Sequence, residues 1–333
     1  MSEPTLDILA IGNAIVDVLA QADEAFLAAE GLEKGAMRLI DAAQATALYA
    51  RMGAGREVSG GSAANTLAGF AALGGRCAFI GQVADDQLGE VFAHDIRAQG
   101  VAFDMPARPA GDVPTARCLI LVTPDGQRTM NTYLGAAQYL PASAVDEELV
   151  ASASILLLEG YLWDPLEPRE AMRRAVRAAR AAGRKIALGV SAVFCIHNHR
   201  ADFVALIERG DVDILFANEE EVLALSGLDD FEAAVAWTAA RVPLLVTTRG
   251  ADGAIAVRGD ERAEVKAEPV PCGVVDTTGA GDLFSAGFLA GHVKGRPLEE
   301  CLIMGSVAAA EVISHYGARP EADLKALVAA RLG

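Results

Sequence analysis

Residues 155–190 read ILLLEGYLWDPLEPREAMRRAVRAARAAGRKIALGV and contain one complete strand–helix–strand unit. The apolar run Ile155–Leu158 has the length of a buried strand. From Glu167 to Ala182 the apolar residues recur at helical spacing, and Gly183 ends that pattern. Lys185–Val190 is again an apolar run of strand length. Two strands joined through a helix favour parallel pairing in a sheet that helices cover.

The same alternation continues on both sides of this unit. It predicts a helix over about residues 200–209, a helix beginning near residue 219, and strands at Leu6–Ile11, Asp213–Phe216 and Leu244–Thr248. This order is typical of an α/β fold with a mostly parallel sheet and helices on both faces. A chain of 333 residues has room for one large domain or two smaller ones. Because it contains no repeat or long linker, we expect a single domain over residues 1–333.

Two segments, at about residues 13–40 and 104–135, do not follow the strand–helix alternation and interrupt its early part. In the second, Ala116–Thr123 and Gln127–Tyr133 flank Pro124-Asp125-Gly126, and Asp-Gly is a strong hairpin signal. Hairpins that interrupt an α/β body often cover a site and exclude water from it. The pattern predicts such a lid, although a simple edge hairpin explains it equally well.

Composition and charge exclude several classes of protein. A net charge of −17 disfavours nucleic-acid binding, which usually needs a basic face. The N-terminus lacks the basic and then apolar layout of a signal peptide, and no apolar run approaches the ~20 residues that span a bilayer. We therefore expect a cytoplasmic protein with no membrane partner. Its cysteines lack metal-site spacing and are expected to be reduced, structural thiols: Cys77, Cys118, Cys195, Cys272 and Cys301.

A glycine-rich turn with an acid at each end occurs late in the chain, Asp276-Thr277-Thr278-Gly279-Ala280-Gly281-Asp282. A helical pattern follows directly, so unpaired N–H groups of a helix start would meet an approaching anion. Asp282 stands where a carboxylate can take a proton from a hydroxyl nucleophile. An anion cradle beside a base is what phosphoryl transfer to an alcohol requires. A lone Gly-x-Gly turn is often only a turn, and this one lacks the Lys-Ser/Thr pair of a Walker loop.

Two earlier segments offer groups that suit a sugar. In Ser59-Gly60-Gly61-Ser62-Ala63-Ala64-Asn65 the double glycine permits a tight turn, and Asn65 falls in the first helical turn. Its amide can donate to and accept from adjacent hydroxyls. Asp17 lies beyond the end of the first strand, where a carboxylate can accept two hydrogen bonds from a cis-diol. A capping asparagine and a solvated loop acid are the ordinary alternatives.

Two further segments offer groups for a nucleotide and a metal. Asn218 and Glu221 are three residues apart at a helix start and together can address hydrated Mg²⁺. Acids at this position also stabilise a helix without any function, and the pattern favours that explanation. The turn that contains Thr247, Arg249 and Gly250 follows a strand and can contact a nucleotide phosphate.

Taken in order, these motifs resemble those of the ribokinase-like (PfkB) kinase family. The resemblance spans nearly the whole chain through Gly60-Gly61-x-x-x-Asn65, Asn218-x-x-Glu221 and the segment 276–282. It implies a three-layer α/β/α body with a mostly parallel sheet and a small β-sheet lid. It also implies ATP as phosphoryl donor and Mg²⁺ as cofactor. A K⁺ requirement stays open, because Asp276 lies near where some relatives bind that ion.

The resemblance also implies a role for each matching position. Asp282 resembles the catalytic base of the family. The anion hole is implied to be the backbone of Gly279, Ala280, Gly281 and Asp282. The groups implied for the ATP site are Asn218, Thr247, Arg249, Gly250, Gly279 and Gly281. Asn218 and Glu221 are implied to hold Mg²⁺, through water.

Within the family, adenosine kinases are the most similar subgroup. The similar segments are GNAIVDV (12–18), GGSAANT (60–66), VSAVF (190–194) and VDILFANEEE (212–221). This likeness implies that ribose is held by Asn13, Asp17, Gly61 and Asn65. It implies that the purine is bordered by Leu134, Ala136 and either Tyr161 or Leu162. One departure is that this wall offers only Tyr161 where more aromatic character is expected.

The resemblance therefore predicts phosphorylation of adenosine by ATP, which gives AMP and ADP. A sugar kinase for ribose, fructose or a keto-sugar acid shares the donor machinery and differs at the acceptor pocket. A catalytically silent regulator that binds a nucleoside or sugar on the same fold is a third alternative. The sequence leaves monomer and homodimer open, because an exposed edge of the lid sheet can pair two chains or stay free.

Overall fold

Two β-sheets organise the computed structural model, which describes residues 3–111, 113–271 and 273–333. The strands in chain order are β1 (Leu6–Ile11), β2 (Ile15–Gln21), β3 (Met37–Leu39), β4 (Gly55–Gly60), β5 (Cys77–Ile80), β6 (Val101–Ala102), β7 (Ala116–Val122), β8 (Arg128–Tyr133), β9 (Ala153–Glu159), β10 (Lys185–Gly189), β11 (Ile214–Asn218), β12 (Leu244–Thr248), β13 (Ala254–Arg258) and β14 (Glu261–Val265). The helices are α1 (Glu24–Ala29), α2 (Ala42–Arg51), α3 (Ser62–Ala72), α4 (Gln87–Ala98), α5 (Glu147–Ser152), α6 (Leu166–Ala181), α7 (Val193–Glu208), α8 (Glu219–Ser226), α9 (Phe231–Ala239), α10 (Ala280–His292), α11 (Leu298–Val312) and α12 (Leu324–Leu332).

The larger sheet has the order β14-β13-β12-β11-β10-β9-β1-β5-β6. Pairing is parallel from β12 through to β6, whereas β13 and β14 are antiparallel at one edge. Alternate residues of β1 enter different apolar clusters: Ile8 and Ala10 join one, Leu9 and Ile11 the other. Because both faces are buried under helices, the body has three layers, and the predicted α/β/α architecture is confirmed.

The smaller sheet has the order β3-β8-β7-β2-β4. The predicted hairpin is confirmed, since β7 and β8 pair antiparallel from Arg117↔Tyr133 to Val122↔Arg128. Strand β4 lies outside both expected lid excursions, yet it pairs antiparallel with β2. Only Gly61 separates β4 from helix α3, so this small sheet, here called the lid, is joined directly to the body.

Local boundaries follow the predicted pattern with one clear difference. The helix predicted at about residues 200–209 begins earlier, because α7 runs from Val193 and continues past a non-helical residue, His199 (φ −132°, ψ 20°). Across the described ranges, no helix is long and apolar enough to cross a membrane. Cys272 lies outside the described residues. The other cysteines are buried free thiols: Cys77, Cys118, Cys195 and Cys301.

Candidate active site

The glycine-rich turn forms the N-terminus of α10. Gly279 caps the helix in the left-handed region (φ 78°), and a side chain there would collide with Ala318. The N–H of Ala280 donates to Thr277 O (3.2 Å). The N–H groups of Gly281 and Asp282 have no acceptor within the helix, because the first turn lacks preceding carbonyls. A Cβ added at Gly281 would meet no atom within 4 Å, and a helix start of this kind favours an anion.

Asp282 is held by the start of α3, more than 200 residues away in sequence. Ser62 Oγ donates to Asp282 Oδ1 (2.6 Å), and Asn65 Nδ2 donates to Asp282 Oδ2 (2.9 Å). Burial raises the pKa of Asp282, while these two hydrogen bonds and the charge of Arg319 oppose that rise. A carboxylate with a raised pKa at a fixed position is suited to accept a proton.

Asn65 also carries an acceptor that the protein leaves unused. Its side chain is 4% exposed, and its Oδ1 is buried with no hydrogen-bond partner among the described residues. A buried acceptor without a donor costs free energy of about 1–3 kcal/mol. A ligand hydroxyl beside Asp282 would satisfy this oxygen, so the amide fits an alcohol acceptor.

Glu159 was not among the predicted site residues, yet it connects two of the predicted segments. It ends β9 and is 3% exposed. Its Oε1 accepts from Asn13 Nδ2 (2.6 Å), and its Oε2 accepts from the N–H of Ala63 (2.9 Å). Burial raises the pKa of Glu159 to about 7, although these hydrogen bonds favour the ionised form. Its place at the carboxyl end of a parallel strand was the available signal.

Asp17 lies on β2 of the lid and is half-buried, so it is a strand residue and not a solvated loop acid. Gly60 lies against its carboxylate, and Gly61 (φ 97°) lies against Asn13 O; neither position has room for a side chain. Burial raises the pKa of Asp17 to about 7, against the charges of Arg319 and Arg128. The predicted ribose residues Asn13, Asp17, Gly61 and Asn65 therefore lie on connected segments around Asp282.

Arg128, at the start of β8, is a second residue that the motifs did not indicate. It is 8% exposed, forms an ion pair with Asp276, and donates from Nη1 to Thr278 Oγ1 (3.1 Å). The other contacts of Asp276 are the N–H groups of Thr278 (3.0 Å) and Gly317 (2.9 Å). A lid residue thus forms an ion pair with the first acid of the glycine-rich turn. The K⁺ requirement stays a prediction.

A cavity of about 710 Å³ adjoins Asp17, between the lid and the segment 316–321. Its wall includes charged and polar groups from both parts of the fold, among them Arg56, Asp95, Arg128, Tyr316 and Arg319. The cavity therefore meets the predicted site at Asp17, and its lining does not include Asp282.

Aromatic side chains form one wall near Asp282. The rings of Tyr161 and Phe194 have centroids 5.8 Å apart, and Phe194 is 41% exposed. Burial and the nearby Asp282 raise the pKa of Tyr161. The sequence predicted only Tyr161 as an aromatic residue of this wall. Phe194, from the segment VSAVF (190–194), adds a second ring.

The remaining predicted purine contacts are less accessible. Leu162 and Ala136 are fully buried, and the Ala136 N–H donates to Pro114 O (2.9 Å). Leu134 is half-buried and caps the 3₁₀ turn Gly135–Tyr139. The roles expected for these three residues stay predictions.

Asn218 and Glu221 form a reciprocal capping box at the start of α8. The N–H of Glu221 donates to Asn218 Oδ1 and the N–H of Asn218 to Glu221 Oε2, each at 2.8 Å. The helix-start explanation therefore applies. Burial raises the pKa of Glu221, and its Oε1 accepts no hydrogen bond from the described part of the chain. That oxygen is free to contact a hydrated cation, so the pair also fits Mg²⁺ held through water.

The predicted ATP-site turn follows β12. Thr247 is fully buried, and its hydroxyl has no hydrogen-bond partner within residues 3–111, 113–271 and 273–333. The guanidinium of Arg249 lies 4.4 Å from the centroid of the Phe231 ring, and its Nε donates to Glu219 (3.3 Å). Gly250 (φ 54°) has open space around it, which lets a ligand approach the backbone.

Comparison with known proteins gives one consistent family. The family model described as pfkB family carbohydrate kinase matches residues 36–324. A probable sugar kinase protein from Rhizobium etli CFN 42 is 46% identical, with a TM-score of 0.91 over 99% of this chain and 98% of that one. The adenosine kinase from Sinorhizobium meliloti is 50% identical, with a TM-score of 0.90 over 98% and 99% of the two chains.

A curated relative agrees: the adenosine kinase of Saccharomyces cerevisiae is 28% identical over 94% of this chain and 96% of its own length. The family match covers most of the chain, and the solved structures share its fold from end to end. The chain therefore belongs to the pfkB family of carbohydrate kinases and is an ATP-dependent kinase of a nucleoside or sugar.

Proposed function

We propose that this kinase phosphorylates adenosine at its 5′-hydroxyl, giving AMP and ADP. The observation that carries the proposal is the arrangement around Asp282. Its carboxylate is oriented by Ser62 and Asn65, and the unsatisfied Asn65 Oδ1 lies on the same amide. A base and an unused hydrogen-bond acceptor side by side suit an alcohol that must be both held and deprotonated.

In the proposed mechanism, the lid and the start of α3 hold the ribose. Asp17 accepts hydrogen bonds from its cis-diol, and Asn13 and Asn65 bind its other polar atoms. Glu159 fixes Asn13 relative to α3, so these groups keep their spacing. Asp282 accepts the 5′-hydroxyl proton as the oxygen attacks in line. Positioning of this kind accounts for much of the rate of phosphoryl transfer.

The glycine-rich turn stabilises the charge that develops during transfer. ATP supplies the γ-phosphoryl group when bound. The N–H groups of Gly281 and Asp282 in the first turn of α10 have no acceptor within the helix, and the Arg128 guanidinium, which is paired with Asp276, donates to Thr278 beside them. Closure of the lid strand that carries Arg128 excludes water from this region. Glu221 would hold Mg²⁺ through water, and Thr247, Arg249 and Gly250 would border the nucleotide.

Adenosine is favoured over a free sugar by two observations. The Tyr161–Phe194 pair offers two aromatic rings, inclined at 37° to each other, near Asp282, and an aromatic face suits a purine ring. The 50% identical relative over nearly the full length is an adenosine kinase. A sugar kinase is the second candidate, because the 46% identical relative is a probable sugar kinase with equal coverage.

An acceptor screen tests the substrate. ADP release at saturating ATP is measured with adenosine, inosine, ribose and fructose. We expect the highest kcat/KM with adenosine. A higher kcat/KM with ribose or fructose would replace the proposal with the sugar kinase.

The Asp282→Asn variant tests the chemistry. Loss of the base should lower kcat by about 10²–10⁴-fold, the usual contribution of a general base. Adenosine binding measured by calorimetry should change little, because the amide keeps the size of the carboxylate. Asp260→Asn, an exposed acid in the turn between β13 and β14, is the matched control. Near-normal turnover in Asp282→Asn would refute the assignment of the base.

A further inference from the structure

Arg319 is a buried arginine that none of the sequence motifs includes. Only 8% of the residue is exposed. Its guanidinium donates to Ser59 O (3.0 Å), to Ser59 Oγ (2.9 Å) and to Ala64 O (2.6 Å). In the described part of the chain no carboxylate lies within 4 Å of it, so its direct contacts are carbonyl and hydroxyl oxygens.

These contacts bridge the two ends of one short segment. Ser59 belongs to the last part of β4 in the lid, and Ala64 to the first turn of α3 in the body. The residues between and beside them are those that contact the predicted acceptor and base positions. Gly60 lies against Asp17, Ser62 and Asn65 hold Asp282, and the Ala63 N–H holds Glu159. A single side chain therefore fixes the segment that orients the site.

Ser59, which Arg319 contacts, also donates two hydrogen bonds to a carboxylate. Asp95 of α4 accepts from the Ser59 N–H (2.8 Å) and from Ser59 Oγ (2.6 Å). Because Ser59 donates its hydroxyl hydrogen to Asp95, its oxygen is free to accept from Arg319. The positive charge of Arg319 is thus relayed to a carboxylate through one hydroxyl, and its field also reaches Asp17 and Asp282.

We propose that Arg319 is a positioning residue of the kinase reaction, which locks the β4–α3 junction and places a positive charge near the site carboxylates. The inference rests on the proposed role of Asp282 as base. Burial lowers the pKa of Arg319 to about 10, so the guanidinium stays charged near neutral pH. The charged and titratable groups around Asp17 and Asp282 are Asp95 on α4, Cys118 on β7, Arg128 on β8, Glu159 on β9, Tyr161 after β9, Asp276 before α10 and Arg319 itself.

Two substitutions separate the geometric and electrostatic parts of this role. Arg319→Lys keeps the charge and loses the three-point contact, whereas Arg319→Gln also removes the charge. Both should lower kcat by about tenfold or more and raise KM for the acceptor, because displacement of the junction misplaces Asp17 and Asp282. The KM for ATP should change little.

The pH profile of kcat/KM gives the readout that a purely structural role would not move. A nearby positive charge lowers the pKa of a carboxylate, so its loss raises that pKa. The acidic limb of Arg319→Gln should therefore shift to higher pH by about one unit, and that of Arg319→Lys should stay in place. Arg331→Gln, at an exposed position on α12 outside the lining of this cavity, is the control and should behave as wild type.

The outcomes are decisive in both directions. If folded Arg319→Gln matches Arg331→Gln in kcat, acceptor KM and acidic limb, the inference is wrong. If Arg319→Gln does not fold, Arg319→Lys alone tests whether Arg319 positions the β4–α3 junction. A wild-type kcat in Arg319→Lys would overturn that claim. Inactive Asp282→Asn together with normal Arg319 variants refutes only this inference, whereas active Asp282→Asn refutes the proposed base.

Discussion

Substitution of Gly279 by alanine tests whether the geometry of the glycine-rich turn controls turnover. An added Cβ would lie 2.6 Å from Ala318 Cβ and 3.0 Å from Ala318 Cα. Carbon atoms in contact prefer about 3.5–4.0 Å, so the turn and Ala318 must separate by about 1 Å. A misplacement of that size costs on the order of 10²-fold in rate. Alanine in the left-handed region adds about 1–2 kcal/mol of backbone strain.

A control glycine separates the collision from the strain. Gly259 has a similar backbone (φ 57°) in the turn between β13 and β14, with no atom near an added Cβ. Gly259→Ala should lose stability by a comparable amount and keep its kcat. In steady-state assays at saturating ATP and acceptor, Gly279→Ala should lose about 10²-fold in kcat through the collision.

A second substitution can restore the lost space. Ala318→Gly removes the methyl group that the new Cβ meets, so the double variant Gly279→Ala/Ala318→Gly should recover a large part of the lost kcat. Thermal unfolding of Gly279→Ala, Gly259→Ala and the double variant checks that all three are folded. A kcat for Gly279→Ala within about threefold of the Gly259→Ala value would refute the reasoning, because the 1 Å displacement predicts much more.

Two other predictions concern the base and the metal. Ser62→Ala removes a hydrogen bond to ionised Asp282, which is worth about 1.5–3 kcal/mol, so the pKa of Asp282 rises and the acidic limb of kcat/KM moves up by about 1–2 pH units. Ser154→Ala on β9 is its control, and an unmoved limb in Ser62→Ala would contradict the base assignment. Glu221→Gln keeps an oxygen for the capping box but removes the charge, so the Mg²⁺ concentration for half-maximal activity should rise severalfold with little change in melting temperature. The neighbouring exposed Glu220→Gln supplies the comparison, and an unchanged Mg²⁺ requirement in Glu221→Gln would argue against a metal role.

The sequence alone could predict those parts of the site whose residues lie close together in the chain. Gly279, Gly281 and Asp282 lie within four residues, and local helix geometry alone places a carboxylate beside the free N–H groups of a helix start. The strand–helix alternation likewise predicted the parallel sheet, since each apolar run reflects burial on both faces. The hairpin of β7 and β8 followed from its Asp-Gly turn.

The parts that escaped prediction depend on contacts between distant segments. Glu159 meets Ala63 across 96 residues, Arg128 meets Thr278 across 150, and Arg319 meets Ser59 across 260. No local spacing in the sequence predicts contacts between such distant residues, because an isolated Arg or Glu is usually a solvated surface residue. The fold must first bring the carboxyl ends of the strands, the lid and the C-terminal segment together before these side chains acquire a role.

The single residue between β4 and α3 has a consequence for when the enzyme becomes competent. Because Arg319 joins Ser59 to Ala64 across Gly61, a displacement of β4 is passed on to the first turn of α3, where Ser62 and Asn65 hold Asp282. In the proposed mechanism, enclosure of the acceptor by the lid and alignment of the base then occur together. ATP that binds before the acceptor would, by this mechanism, be protected from transfer to water.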